Sequence, residues 1–153
     1  MYRKILVPTD GSPTAACGLE EAIKLAKDQR AQIRLIHVVD EFVMVSPYAV
    51  LPDSLIEELC AAGKAILAEA QKKVQDAGIA VDTQLVEAFG SAAGGHIVEA
   101  AQKWPADIIV CGTHGRRGLR RIVLGSDAEY LVRHSPVPVL LIRAPAFTAA
   151  ENK

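Results

Sequence analysis

No stretch of this chain approaches the roughly 20 consecutive apolar residues that a membrane-spanning helix needs. The opening "MYRKILVPTDG" has a basic start but too short an apolar run for a signal peptide, and reads as a strand. Cysteine is scarce. Cys17, Cys60 and Cys111 share no CxxC or Cys/His ligand spacing, which argues against a zinc site or a disulfide framework. They read as buried free thiols in a reducing cytoplasm. An excess of one charge is missing too. The 17 basic and 18 acidic residues leave a net charge of -1, so bulk charge implies neither a nucleic-acid partner nor a membrane surface. GxxxxGK[ST] and GxGxxG are both absent, which excludes the common phosphate-loop and dinucleotide-binding classes.

What is present is a balanced globular composition. Half of the 153 residues are apolar and 23% are charged, with no internal repeat and no linker. One domain over 1–153 is expected, with 144–153 as a loose tail. Short apolar runs alternate with helical periods. Strands are predicted over 4–10, 31–40, 79–89, 107–112 and 137–143. Helices are predicted over 12–30, with Ala16, Leu19, Ile23 and Ala26 on one face, and from a Ser54/Glu57 capping box to Gly78. The latter carries Leu59, Ala62, Ile66, Ala70 and Val74 as its stripe. Two more are expected over 91–104, started by Ser91 and halted by Pro105, and over 126–134. This alternation implies an α/β doubly wound domain, a five-stranded parallel sheet with helices on both faces. Ligands in such folds bind beyond the carboxyl ends of the strands. The pattern alone leaves two strand orders open, 2-1-3-4-5 and 3-2-1-4-5.

The most informative stretch is "GTHGRRGLRRIVLGS", residues 112 to 126, which joins the fourth strand to the fourth helix. Its skeleton is Gly112, Gly115 and Gly125-Ser126. At about 7% glycine, three such fixed positions arise by chance roughly 3 times in 10,000 starts. Glycine lets a backbone approach an anion closely and turn its N–H groups inward. The helix opening at Ser126 adds free N–H groups and a positive dipole end. The duller reading makes Ser126 an N-cap and Gly125 a turn residue. Asp10, followed by Gly11-Ser12, could likewise be an Asx turn opening the first helix. Of Arg116, Arg117, Arg120 and Arg121, one or two are expected to reach the ligand. A second glycine-rich turn, "FGSAAGG" (89–95), reads as structural, as do His37, His96, His134 and Trp104.

The Gly112–Gly115–Gly125–Ser126 array resembles the ATP-binding motif of the universal stress protein family. "ILVPTDGS", "HVVD" and "SPVPVLLIR" resemble the same family, over about residues 3 to 143. The resemblance implies strand order 3-2-1-4-5, which sets "PTDGS" and "GTHGRRG" across one crevice. It implies that Pro8, Thr9 and Asp10 line the adenosine end and that Val38 packs on adenine. Gly112 and His114 would flank ribose and phosphates, Arg117 would neutralise charge, and Gly115, Gly125 and Ser126 would hold the phosphate chain. Asp127 stands where the family often has an apolar residue. It would help bind magnesium, repel the triphosphate, or serve only in the helix's first turn.

The expected function is therefore a cytoplasmic stress-response module that binds ATP, with magnesium, or AMP. Occupancy would order residues 113–124 and alter a surface seen by protein partners. A weak ATPase or self-phosphorylating enzyme is the alternative, since Asp10, His114 and Ser126 are chemically capable. The HxGH and SGGxDS signatures of nucleotidyl transferases are absent, and no paired base and nucleophile stands out. A nucleotide-free chaperone-like scaffold is the third reading. The apolar final strand, Val137 to Arg143, would be an exposed sheet edge and is expected to pair in a homodimer.

Overall fold

The computed structural model describes residues 1–39, 52–88, 91–113 and 124–144. Along them run β1 (Lys4–Pro8), α1 (Pro13–Gln29), β2 (Gln32–Val39), α2 (Asp53–Asp76), β3 (Val81–Glu87), α3 (Ala93–Lys103), β4 (Ile108–Gly112), α4 (Ser126–His134) and β5 (Val139–Ile142). The strands form one parallel sheet in the order β3-β2-β1-β4-β5. This settles the choice the pattern left open, in favour of the order that the resemblance implied.

Both faces of the sheet are covered, which is why the central strands are apolar without alternation. Ile5, Val7, Ile33, Leu35, Ile108 and Val110 meet Leu19 and Ala22 of α1 and Leu67 and Val74 of α2 on one face. Leu6, Ile36, Val38, Ile109 and Cys111 meet Ile97 and Ala101 of α3 and Leu131 of α4 on the other. At the amino-terminal edge, Asp107 accepts from the backbone N–H groups of Arg3 (2.7 Å) and Lys4 (2.8 Å), tying β4 to β1. Beside it the Arg34 guanidinium pairs with both oxygens of Asp82 and lies 4.6 Å from the Trp104 ring centroid. Trp104 is thus a packing residue, as expected.

Four local expectations are corrected. The buried side of α1 runs through Ala15, Gly18, Leu19, Ala22 and Ala26, leaving Ala16 and Ile23 on the flank. Small residues face the sheet because the helix lies close: a Cβ on Gly18 would stand 3.1 Å from Gly112 N. The stripe of α2 is likewise Cys60, Gly63, Leu67, Ala70 and Val74, with Ala62 exposed. Gly63 faces inward since a Cβ there would stand 2.7 Å from His37 Cδ2. The capping box does not form. Leu55 N and Ile56 N donate to Pro52 O, so the N-cap is Pro52, two residues before Ser54, and Ser54 is stranded in the first turn. Nor does Ser91 cap α3: the N-cap is Ala92, and the Ser91 hydroxyl turns to Ala88 O and His96 instead.

Candidate functional site

The site begins where β1 stops. Residues of even number on β1 face β4, because Thr9 N donates to Ile36 O and Gln32 N to Arg3 O on the β2 side. Pro8 has no N–H to offer β4, and the ladder from β1 ends there. Its neighbours continue. Pro8 pairs with Ile36, so Val38 on β2 stands beyond the end of β1. Ile36 O faces β1, and by alternation so do the N–H and C=O of Val38. On β4, Ile109 N and Thr113 N donate to β5-side carbonyls, which turns the peptide groups of Gly112 towards β1. Leu6 pairs with Ile109, placing Gly112 level with Thr9, again past the last residue of β1. A notch therefore opens at the carboxyl edge of the sheet, with main-chain groups of Val38 and Gly112 turned into it from either side.

The chain leaving β1 is tightly held. Thr9 is buried, and its carbonyl accepts from His37 Nδ1 at 2.8 Å. A carbonyl only accepts, so Nδ1 carries the proton. Asp10 Oδ1 accepts from Ser12 N at 2.9 Å, an Asx turn, and Gly11 takes φ +78 to make the bend. Ser12 Oγ then caps α1 by accepting from Ala15 N. The dull reading of Asp10 is thus satisfied by one of its oxygens.

Beyond β4, Thr113 meets the start of α4. Its carbonyl accepts from Gly125 N at 2.9 Å, and its N–H donates to Ile142 O. Gly125, and not Ser126, is the N-cap of α4, and no side chain caps that end among the described residues. Ser126 is the first helical residue and is exposed. The opening N–H groups of α4 lie just past the carboxyl end of β4, next to the strand that borders the notch. Asp127 is half-buried, and its Oδ1 accepts from Gly94 N of α3 at 3.0 Å. Burial, helped by the Asp127 carboxylate, pushes the Cys111 thiol up to about 12, so it stays protonated and is no nucleophile. No group of His, Cys, Asp and Glu among the described residues is arranged to hold a metal.

Of the residues expected at the site, Pro8, Thr9, Asp10, Val38, Gly112, Gly125, Ser126 and Asp127 are described, all beyond or at the carboxyl edge of the sheet. His114, Gly115 and Arg117 lie outside the described residues, as do Arg116, Arg120 and Arg121. Gly112 carries a second duty: a Cβ there would stand 2.7 Å from Thr14 O and 2.8 Å from Thr14 Cγ2. Sequence reasoning also missed His37 as the holder of Thr9 and Thr113 as the tie between β4, β5 and Gly125. Their partners are distant in sequence, so no local signal marks them.

The model of the universal stress protein family matches residues 1–143. The chain belongs to the universal stress protein family. Universal stress protein MJ0531 of Methanocaldococcus jannaschii is 38% identical over 150 residues, covering 95% of this chain and 84% of that protein. The solved structure of MJ0577, from the same organism, superposes with a TM-score of 0.81 at 30% identity, covering 100% of this chain and 99% of the other. More distant universal stress proteins share the fold at 19–22% identity. They were solved with AMP bound (Arabidopsis thaliana, TM-score 0.67), with dAMP (Archaeoglobus fulgidus, 0.65) and with cAMP (0.63). No described helix is long and apolar enough to cross a membrane.

Proposed function

We propose that this universal stress protein is a regulatory module that binds ATP, with magnesium, in the notch between β2 and β4. One observation carries the reading: β1 stops at Pro8 while β2 and β4 run on, and the peptide groups of Val38 and Gly112 are turned towards the space beyond its end. Main-chain donors and acceptors in a flat slot suit the edge of a purine, and adenine is common to the three nucleotides seen in the distant relatives. Val38 packs on adenine, while Pro8, Thr9 and Asp10 line the adenosine end. Gly112 and His114 flank ribose and phosphates. Gly115, Gly125 and Ser126 surround the phosphate chain at the opening of α4, where N–H groups and the helix dipole favour an anion, and Asp127 serves behind them in the helix's first turn. Arg117 neutralises phosphate charge. Magnesium is then held chiefly by the phosphates.

The module acts by occupancy rather than turnover, through protein partners that read the surface around residues 113–124. It works as a cytoplasmic homodimer paired along Val137 to Arg143. In support, Pro138 and Leu140 are exposed at the β5 edge, and Cys17, Cys60 and Cys111 are all free thiols. Isothermal titration with Mg-ATP and with AMP tests the binding. Saturable uptake of one nucleotide per chain, weakened by Asp10→Ala, is expected. No heat with either ligand, from protein freed of bound small molecules, overturns the reading.

A further inference from the structure

We propose that Asp127 is a positioning residue that locks the first turn of α4 to the first turn of α3, so that phosphate bound at α4 is felt by α3. The proposal rests on the nucleotide reading above. α3 opens without help of its own: its N-cap Ala92 gives no side-chain hydrogen bond and its first turn has no acid. The carboxylate comes from α4 instead, with Asp127 Oδ1 3.0 Å from Gly94 N. The positive ends of two helices thus share one negative charge, a favourable place for it. The same carboxylate lies near enough to Cys111, at the end of β4, to help keep that thiol protonated.

A second contact supports the lock. Tyr130, one turn along α4 from Asp127, presses on the same glycine. A Cβ on Gly94 would stand 2.9 Å from Tyr130 Cβ, and one on Gly95 would lie 3.8 Å from the Tyr130 hydroxyl. Asp127 and Tyr130 are spaced i, i+3 on one helix face and bracket Gly94 between them. Tyr130 is held in turn, stacked on His134 with ring centroids 4.1 Å apart. Gly94 is therefore there for the approach of α4, and its N–H is already taken by a carboxylate of the same chain. Asp127 sets where the opening N–H groups of α4 point, and a phosphate that shifts them pulls on α3.

Two variants and two readouts test this. Asp127→Asn keeps an oxygen to accept from Gly94 N but removes the charge, and Asp127→Ala removes both. If the residue positions, Asp127→Asn binds ATP and AMP within about threefold of wild type, with unchanged magnesium dependence. Asp127→Ala loses roughly tenfold for both, about one hydrogen bond's worth. Hydrogen exchange at the Gly94 amide slows when ATP is added to wild type and to Asp127→Asn, and does not respond in Asp127→Ala. A tenfold change in ATP affinity or in magnesium dependence for Asp127→Asn, with Gly94 protection intact, would mean that the charge acts on phosphate or metal directly, and overturns the proposal. So does an Asp127→Ala protein that binds and protects like wild type. Should Asp127→Ala not fold, the Asn variant still decides. Wild-type protein that binds neither nucleotide fails at the earlier step, and is distinguished by failing before any substitution.

Discussion

Gly112→Ala separates a glycine kept for a ligand from one kept for packing. The added Cβ would sit 2.7 Å from Thr14 O, 2.8 Å from Thr14 C and 2.8 Å from Thr14 Cγ2. Carbon contacts are comfortable at about 3.5–4.0 Å, so the overlap is near 0.8 Å, and two of the three atoms are backbone. Rotating a side chain does not relieve it; the amino end of α1 must lift from β4. That end carries the Asx turn of Asp10 and the Ser12 cap, so the β1 side of the notch moves with it. Overpacking of this kind costs about 1–3 kcal/mol. In a domain of this size that is about 2–12 °C in Tm, at 2–4 °C per kcal/mol. Thermal unfolding followed by circular dichroism, alongside ATP titration, reads both effects. Gly78→Ala is the control: its φ of +74 makes the backbone strained, but nothing lies within 4 Å of the new Cβ and the site is at the other end of the sheet. It should cost about 1–2 kcal/mol with ATP affinity unchanged. A Gly112→Ala protein with wild-type Tm and no ATP binding would refute the packing argument.

Three further outcomes are expected. The backbone N–H groups of Arg3 and Lys4 hold the Asp107 carboxyl below its ordinary range, so its stabilisation is present above the unfolded value of about 3.9 and is lost as pH falls. Asp107→Asn should cost about 1–2 kcal/mol at pH 7 and flatten the urea midpoint between pH 5 and 3; an unchanged acid slope opposes this. The raised Cys111 thiol stabilises the fold below about pH 8.5 and ceases to do so as pH climbs towards 12. At pH 8 a thiol reagent should therefore modify half-buried Cys17 well before Cys111, and the reverse order by mass spectrometry would be decisive against it. His37→Leu leaves the buried Thr9 carbonyl without its donor, at about 1–3 kcal/mol in unfolding free energy. His37→Asn, which still offers an N–H, should recover part of the stability and of the ATP affinity. Equal losses in both variants would assign the effect to packing against Gly63.

Local patterns and tertiary contacts divide the credit unevenly. Element type and order were legible because β-branched runs such as "QIRLIHVV" and helical periods such as that ending at Gly78 report a short-range choice of backbone. α4 was bounded to the residue, since Gly125 before it and Ser135-Pro136 after it punctuate the chain clearly. In the stripes of α1 and α2, Leu19, Ala26, Ala70 and Val74 were placed correctly, while Ala16, Ile23, Leu59, Ala62 and Ile66 were each one residue off. Periodicity gives the width of an apolar face but not its rotation, which depends on where Gly18 and Gly63 allow close approach. The capping box at Ser54 and the cap at Ser91 failed for a similar reason: a hydroxyl at the right spacing has several partners within reach, and packing chooses among them.

The amino-acid order by itself determined that strands and helices alternate, that the sheet is parallel and covered on both faces, and that a stretch rich in glycine and arginine follows the fourth strand. These follow from turn-by-turn preferences and from the burial of apolar runs. Only the tertiary structure decided that β1 lies between β2 and β4, that it ends at Pro8 short of Val38 and Gly112, and that Asp127 reaches across to Gly94. Those facts join residues tens of positions apart, and the free energy that selects them comes from packing and hydrogen bonds that no short window contains.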